Sequence, residues 1–359
     1  MLNGQRIIDM HAHTVAPPEL YAAKAGLLSG RGYHGKSGIS EERIEQFAQN
    51  NLKIMDKVQT DVQFLSPRPF QLMHSEKPEV IVHWWCEMNN DVIASQVKAH
   101  PDRFQGIAGL PHVSGAKDSS HVVPELERTV NEFGFIGCLI NPDPEEGQGD
   151  PTDPNHTPPM DHEYWYPLYE AMVKLDVPGL IHSAACKNPH ESYSAHFITT
   201  ESQTVLNLAR PSSKVFTDFP NLKIIVAHGG GSVPYQIGRW RVRRYNDMKS
   251  NPNLEDFDTS LRRMYYDSNL YTKESLDYCL QICGPDRVMF GTENPGSGSS
   301  VHPDFKYEKG KKLPAGDLEG WETDDLAPVI LNQIDWLTDE DKQNVMEGNA
   351  RRVFTRGNF

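Results

Sequence analysis

The sequence predicts an α/β fold, a single (β/α)8 barrel of the TIM type with long loops on its C-terminal face and a C-terminal helical extension. Three observations carry this. Eight short apolar runs rich in β-formers recur along the 359 residues. Most are separated by stretches with helical spacing and a charged face, and strand alternating with helix implies parallel strands. The runs are close to continuously apolar, as expected for a sheet covered on both faces. No Gly-x-Gly-x-x-Gly follows the first run, which counts against a dinucleotide-binding sheet.

The expected strands are Ile7–Met10, Val62–Leu65, Phe104–Leu110, Phe135–Ile140, Pro178–Ile181, Ile224–Ala227, Tyr265–Tyr266 and Val288–Phe290. Helical spacing is clearest over Glu41–Lys57, Ile81–His100, Val122–Phe133, Tyr164–Leu175 and Lys273–Cys283. Three segments break the rhythm. Thr14–Ser40 is rich in Gly, Ala and small polar residues. Asn141–Asp161 carries Pro142, Pro144, Pro151, Pro154, Pro158 and Pro159, too many for a helix or central strand. Asn294–Thr323 is a long Gly/Pro/Ser/Lys stretch. Each follows a strand, which places it on the C-terminal face where barrel loops serve the active site. From Asp324 the chain reads as helical, over Ala327–Trp336 and Asp339–Glu347, and is expected to pack on the barrel's outside. No linker, internal repeat or low-complexity tract interrupts residues 1–359, which read as one domain.

Bulk properties narrow the function. A formal net charge of −14 argues against a nucleic-acid partner, because phosphate binding needs a basic face. A local basic pocket for a small anion stays allowed. No apolar stretch approaches the roughly 20 residues that span a bilayer, and no secretory signal is visible. Five scattered cysteines without a C-x-x-C pair fit reduced thiols in a cytoplasmic protein.

The strand ends hold the chemistry. His11 and His13 close the first run two residues apart, so an extended backbone puts both imidazoles on one side. His182 ends the fifth run, His228 the sixth and Glu293 follows the eighth. A histidine at one strand end is commonly structural. Four histidines and a carboxylate at the C-terminal ends of four strands converge on the face where barrel enzymes work. His11, His13, His182 and Glu293 offer three neutral nitrogens and one carboxylate, a set suited to one divalent ion, Zn²⁺ first and Mn²⁺ or Fe²⁺ after it. Arg68, between two prolines that restrict its backbone, could clamp a substrate carboxylate or form a structural salt bridge. Arg239 could cap a helix or neutralise a second carboxylate. Asn141 could donate an amide to substrate or cap its strand. Asp9 is expected to have a structural role or to support the site by orienting a metal-bound imidazole. The tryptophans Trp84, Trp85, Trp165 and Trp240 and the thiols of Cys86 and Cys138 read as core or interface.

With these residues the chain resembles the amidohydrolase superfamily, whose pattern is His-x-His after the first strand, His after the fifth and sixth, and an acid after the eighth. The blocks Ser66–Gln71, Gly134–Pro144 and His228–Gly231 running to Pro234–Arg239 are similar to the branch of amidohydrolase-related decarboxylases and the 4-oxalomesaconate hydratase. The run from Ser66 through Lys77-Pro78 to His83-Trp84 and Cys86-Glu87, with Tyr193–Ile198, most resembles zinc-dependent meta-cleavage-product hydrolases of lignin-derived biphenyl catabolism. That resemblance implies Tyr193 and His196 as pocket residues. Two features depart from the wider superfamily. Glu293 stands where Asp is usual, and Asn141 stands where a lysine would be needed to bridge two metals, so one ion is expected. The insert after Glu293, with Lys306, Lys309, Lys311 and Lys312, has no counterpart in the pattern.

The resemblance implies hydrolysis of a carbon–carbon bond in an aromatic ring-cleavage product, with His228 as acid/base, Glu293 in the catalytic set and Arg68, Asn141, Tyr193, His196 and Arg239 against a small anionic substrate. Hydration of a 4-oxalomesaconate-like acid and nonoxidative decarboxylation of an aromatic acid are the alternatives, and a non-catalytic metal-binding barrel the bland one. The tryptophan-rich outer segments are compatible with a homo-oligomer.

Overall fold

A computed structural model describes residues 4–30, 36–295 and 331–359. Eight parallel strands follow one another in sheet order: β1 Ile8–His13, β2 Val62–Ser66, β3 Phe104–Gly109, β4 Gly137–Ile140, β5 Gly179–Ile181, β6 Ile224–Val226, β7 Tyr265–Asp267 and β8 Val288–Met289. The eighth closes on the first. Met10 N donates to Phe290 O at 3.0 Å, Glu293 N to His11 O at 2.7 Å, and His13 N to Asn294 O at 2.8 Å. A closed parallel sheet leaves no edge, so the expected (β/α)8 barrel is the observed one.

Each expected strand is present, and the helices are α1 Pro18–Leu28, α2 Glu41–Val58, α3 Val80–Ala99, α4 Val123–Phe133, α5 Tyr166–Leu175, α6 Tyr193–Ala209, α7 Val215–Asp218, α8 Ile237–Ser250, α9 Phe257–Leu261 and α10 Lys273–Cys283, of which α2, α3, α4, α5 and α10 lie where the spacing puts them. Helix α1 occupies part of the segment read as a loop after β1. Its Ala and Leu residues bury Leu20, Ala23 and Leu27.

Alternation along the strands sorts the core into two clusters. Ile107, Leu139, Leu180 and Ile225 belong to one, with Val62, Phe64 and Met289. Their immediate neighbours Ala108, Cys138, Ile140, Ile181, Ile224 and Val226 join helix residues such as Leu126, Tyr169, Met172 and Leu280 in the other. The first is therefore the barrel lining and the second the layer beneath the helices.

The C-terminal segment does more than coat the outside. After α11 (Asp339–Gln343) and one π turn over Asn344–Gly348 comes α12 (Asn349–Val353). Val345 and Met346 join the helix-side layer. Ala350, Val353 and Phe354 instead join the lining cluster, where Phe354 meets Phe64 edge to face at 4.8 Å. The insert lysines Lys306, Lys309, Lys311 and Lys312, and residues 327–330 of the expected helix Ala327–Trp336, lie outside the described residues; from Asn332 to Trp336 the chain runs through turns in place of the expected helix.

Candidate active site at the barrel mouth

The chain order of the histidines hides their proximity. Ring centroids of His11 and His13 are 5.2 Å apart, His11 and His182 5.1 Å, and His182 and His228 4.9 Å. All four side chains are buried. Two triads of ligand atoms, His11–His13–His182 and His182–His228–Glu293, each have members within 4.8 Å of one another, and they share His182. Glu293 Oε1 stands 3.7 Å from His182 Nε2 and 3.5 Å from His228 Nε2.

Each imidazole has its Nδ1 engaged from behind. His11 Nδ1 meets Asp267 Oδ2 at 2.6 Å and His13 Nδ1 meets Ser66 Oγ at 2.9 Å. His182 Nδ1 donates to Ser183 O at 2.7 Å, and His228 Nδ1 meets Glu201 Oε2 at 2.8 Å. In the neutral rings of His11 and His13, an acceptor on Nδ1 places the proton there and leaves Nε2 as a bare lone pair. The Nε2 atoms of His11, His182 and His228 are buried with no hydrogen-bond partner in the protein. Orphaned buried nitrogens cost about 1–3 kcal/mol each. Those of His11 and His182, beside His13 and the Glu293 carboxylate, fit a divalent cation that would satisfy them, while the orphaned Nε2 of His228 faces Glu293 Oε1 at 3.5 Å.

Backbone geometry brings them there at a cost. His228, Tyr271 and Glu293 have φ of 51°, 57° and 59°, a left-handed conformation unfavourable for side chains of this size. Such strain costs about 1–3 kcal/mol per residue and persists where the surroundings impose it. At Gly291 a Cβ would lie 2.8 Å from His11 Cβ, so only glycine lets the end of β8 come this close to β1.

Charge finishes the arrangement. Burial lowers the pKa of His13 well below the ordinary value, and the neighbouring His11 and His182 add to it. His11 is also lowered by burial, against the pull of Asp267. His228 goes the other way: burial opposes the imidazolium, but Glu201 and Glu293 outweigh it and hold the pKa well above the usual. Burial likewise opposes the Glu293 carboxylate, and His182 and His228 hold it ionised. Its Oε2 accepts from Tyr271 Oη at 2.8 Å and Asn269 Nδ2 at 3.3 Å.

The metal-type donor set in a barrel mouth agrees with sequence similarity over the whole chain. A family model described as Amidohydrolase matches residues 8–356. The chain belongs to the amidohydrolase family. This amidohydrolase is 30% identical over 357 residues to 2-keto-4-carboxy-3-hexenedioate hydratase of Sphingobium sp. (strain NBRC 103272 / SYK-6), covering 98% of this chain and 96% of that protein. It is 27% identical over 315 residues to gamma-resorcylate decarboxylase of Rhizobium sp. (strain MTP-10005), covering 82% of this chain and 88% of the other. Its structure is similar to that of 4-oxalomesaconate hydratase from Rhodopseudomonas palustris, with a TM-score of 0.77 and 29% identity, covering 98% and 96% of the two chains.

The remaining residues singled out in the sequence of this amidohydrolase divide. Arg68 is half-buried, its Nε has no hydrogen-bond partner, and its charge reaches His13. Tyr193 lies near Glu293 and Glu201 and packs on Phe197 at 5.2 Å. Phe197 stacks on His228 at 4.4 Å, and Phe70 meets Tyr193 at 6.3 Å, so an aromatic wall runs outward from His228. Asn141 has its amide engaged: Nδ2 meets His74 Nδ1 at 2.8 Å and Asp143 O, and Oδ1 accepts from Asp143 N. His196 turns away from His228, with Nε2 3.0 Å from Asp143 Oδ2. Arg239 is exposed in the first turn of α8.

Of the two roles expected for Asp9, its contacts show the structural one. It accepts from Gln63 Nε2, Thr292 N and Thr292 Oγ1, bracing β1 against β2 and the end of β8. Asp267 grips the His11 imidazole instead, and sequence reasoning stopped one residue short of it at Tyr266. Its own position closing the seventh run was the available signal. Glu201, in the middle of α6, carried none.

Proposed function

We propose that this amidohydrolase is a metal-dependent hydratase acting on a small unsaturated oxo-polycarboxylate. The observation that carries the reading is His228: its Nδ1 rests on a buried carboxylate while its Nε2 faces Glu293 and the other three imidazoles. Hydration and decarboxylation, held as alternatives on sequence, are the activities named for the relatives above, and this moves the preferred reading away from carbon–carbon bond hydrolysis.

His11, His13, His182 and Glu293 would hold one divalent ion, with zinc suited to the nitrogen-rich set and manganese also compatible with it. Such an ion, when bound, lowers the pKa of coordinated water and polarises a carbonyl oxygen. Addition of water across a carbon–carbon double bond needs one proton taken from water and one delivered to carbon. His228, held between Glu201 and Glu293, stores and returns a proton at Nε2. Burial and the adjacent Glu293 and Glu201 charges push the Tyr193 phenol up, so it stays protonated and can donate to the substrate. Arg68 is placed to pair with a substrate carboxylate, and Phe70, Tyr193 and Phe197 provide a flat apolar wall.

Decarboxylation of a hydroxylated benzoate is the second reading, favoured by the 27% identity to the decarboxylase. Incubating metal-loaded protein with an unsaturated oxo-tricarboxylate and, separately, a dihydroxybenzoate separates the two by mass spectrometry. A product heavier by one water supports hydration. A product lighter by carbon dioxide from the benzoate alone overturns it.

A further inference from the structure

A second cluster of metal-type side chains gathers at the start of α6. Cys186, Glu191 and His196 each bring one ligand atom within 4.8 Å of the other two. Cys186 and Glu191 come from the loop after β5, and His196 from the first turn of α6. The His196 side chain is only 7% exposed. Its Nδ1 stands 3.5 Å from Glu191 Oε2, and its Nε2 stands 3.0 Å from Asp143 Oδ2 yet makes no well-formed hydrogen bond. Asp143 itself is pinned by the Gly147 amide, which donates to its Oδ2 at 2.7 Å. The backbone at Gly147 comes so close that a Cβ there would sit 3.1 Å from Cys186 Sγ. A cavity of about 640 Å³ lined by Asp143, Glu145, His156, Glu191 and His196 opens beside the cluster.

We propose that Cys186, Glu191 and His196 form a second, structural divalent-metal site, with Asp143 behind the histidine. One thiolate, one imidazole and one carboxylate, with a water completing a tetrahedron, suit Zn²⁺ or its analogue Co²⁺. An ion on Nδ1 fixes the His196 proton on Nε2, which turns the close approach to Asp143 into a hydrogen bond, the arrangement in which a carboxylate orients a metal-bound imidazole. Binding converts the Cys186 thiol to thiolate and releases its proton to solvent. The ion would tie the loops after β4 and β5 to the start of α6. That helix also carries Phe197 and Glu201, which hold His228, so the second site would steady the acid/base from behind.

Cobalt distinguishes this site from the first, because a thiolate ligand to Co²⁺ gives a near-ultraviolet charge-transfer band and the barrel-mouth set has no sulfur. Metal-free full-length protein, kept reduced, is titrated with Co²⁺ while that band and bound cobalt are followed. The proposal expects two equivalents per chain and a band that saturates with one of them. Cys186→Ser should lose the band and one equivalent, the retained equivalent reporting a folded barrel. Glu191→Gln should weaken the same step by at least tenfold and leave the other unchanged. One equivalent without a band, or a band that persists in Cys186→Ser, overturns the proposal.

Discussion

Two groups of buried histidines sit at the same end of this barrel, and they differ in what holds each ring. His11, His13, His182 and His228 stand at the ends of β1, β5 and β6, each with Nδ1 on an acceptor. His74 and His112 lie on the loops after β2 and β3, their rings 5.6 Å apart. His74 Nδ1 meets only the Asn141 amide, and neither nitrogen of His112 has a partner. Burial, with a smaller push from neighbouring histidines, takes His74 down to about 3 and His112 well below the ordinary value. In the first group, the carboxylates of Glu201 and Glu293 hold His228 well above it. Burial is common to both groups. What separates His228 from the other buried rings is its two carboxylates, Glu201 behind Nδ1 and Glu293 facing Nε2; His11, with Asp267 alone, and His13, with none behind it, stay lowered by burial.

The sharpest way to break this comparison is at His228. His228→Asn should lower turnover by roughly 10²- to 10⁴-fold, the usual worth of a general acid/base, with bound metal unchanged. Metal analysis beside steady-state kinetics checks it, and a parallel loss of metal would make His228 a ligand. A smaller effect is expected one step back. Asp267→Asn keeps the shape behind His11 but removes the charge, and should weaken metal binding about 10- to 100-fold. Competition with a chelator measures this, and unchanged affinity would mean that Asp267 only braces the Gly229 amide, which it accepts at 3.0 Å.

The smallest effect belongs to the second group and reads out as stability. Burial depresses the folded pKa of His74 and His112, so the unfolded chain takes up their protons first. Their neutral burial therefore favours the fold above the unfolded pKa of about 6.5. That contribution is lost as pH falls from there toward about 3 for His74, at up to about 1.4 kcal/mol per pH unit for each group. His112→Leu should lose less stability on acidification than the parent chain in urea unfolding, with turnover near that of the parent. Equal losses in both proteins would mean that His112 is not the neutral packing group described.

Much of the barrel was legible because its signals are local. Apolar runs of strand length, helical spacing between them and polar residues at the run ends all lie within a few residues of one another. The same rule found His11, His13, His182, His228 and Glu293, since a residue closing a barrel strand stands at the rim of the mouth. It applied to Asp267 as well, where the seventh run was read one residue too short. Asn141 closes its strand by the same rule, yet the structure turns its amide to His74 and Asp143.

The sequence by itself determined the barrel, its strand ends and the residue types gathered at its mouth, because periodicity and strand polarity depend on neighbours in the chain. Only the tertiary structure decided which nitrogen of each histidine is free. That choice is made by Asp267, Ser66 and Glu201, which lie 256, 53 and 27 residues from their histidines. It likewise decided that His196 sits with Cys186 and Glu191, while the next residue, Phe197, stacks on His228. Both outcomes follow from helices docking on a closed sheet, a long-range packing event that no local pattern encodes.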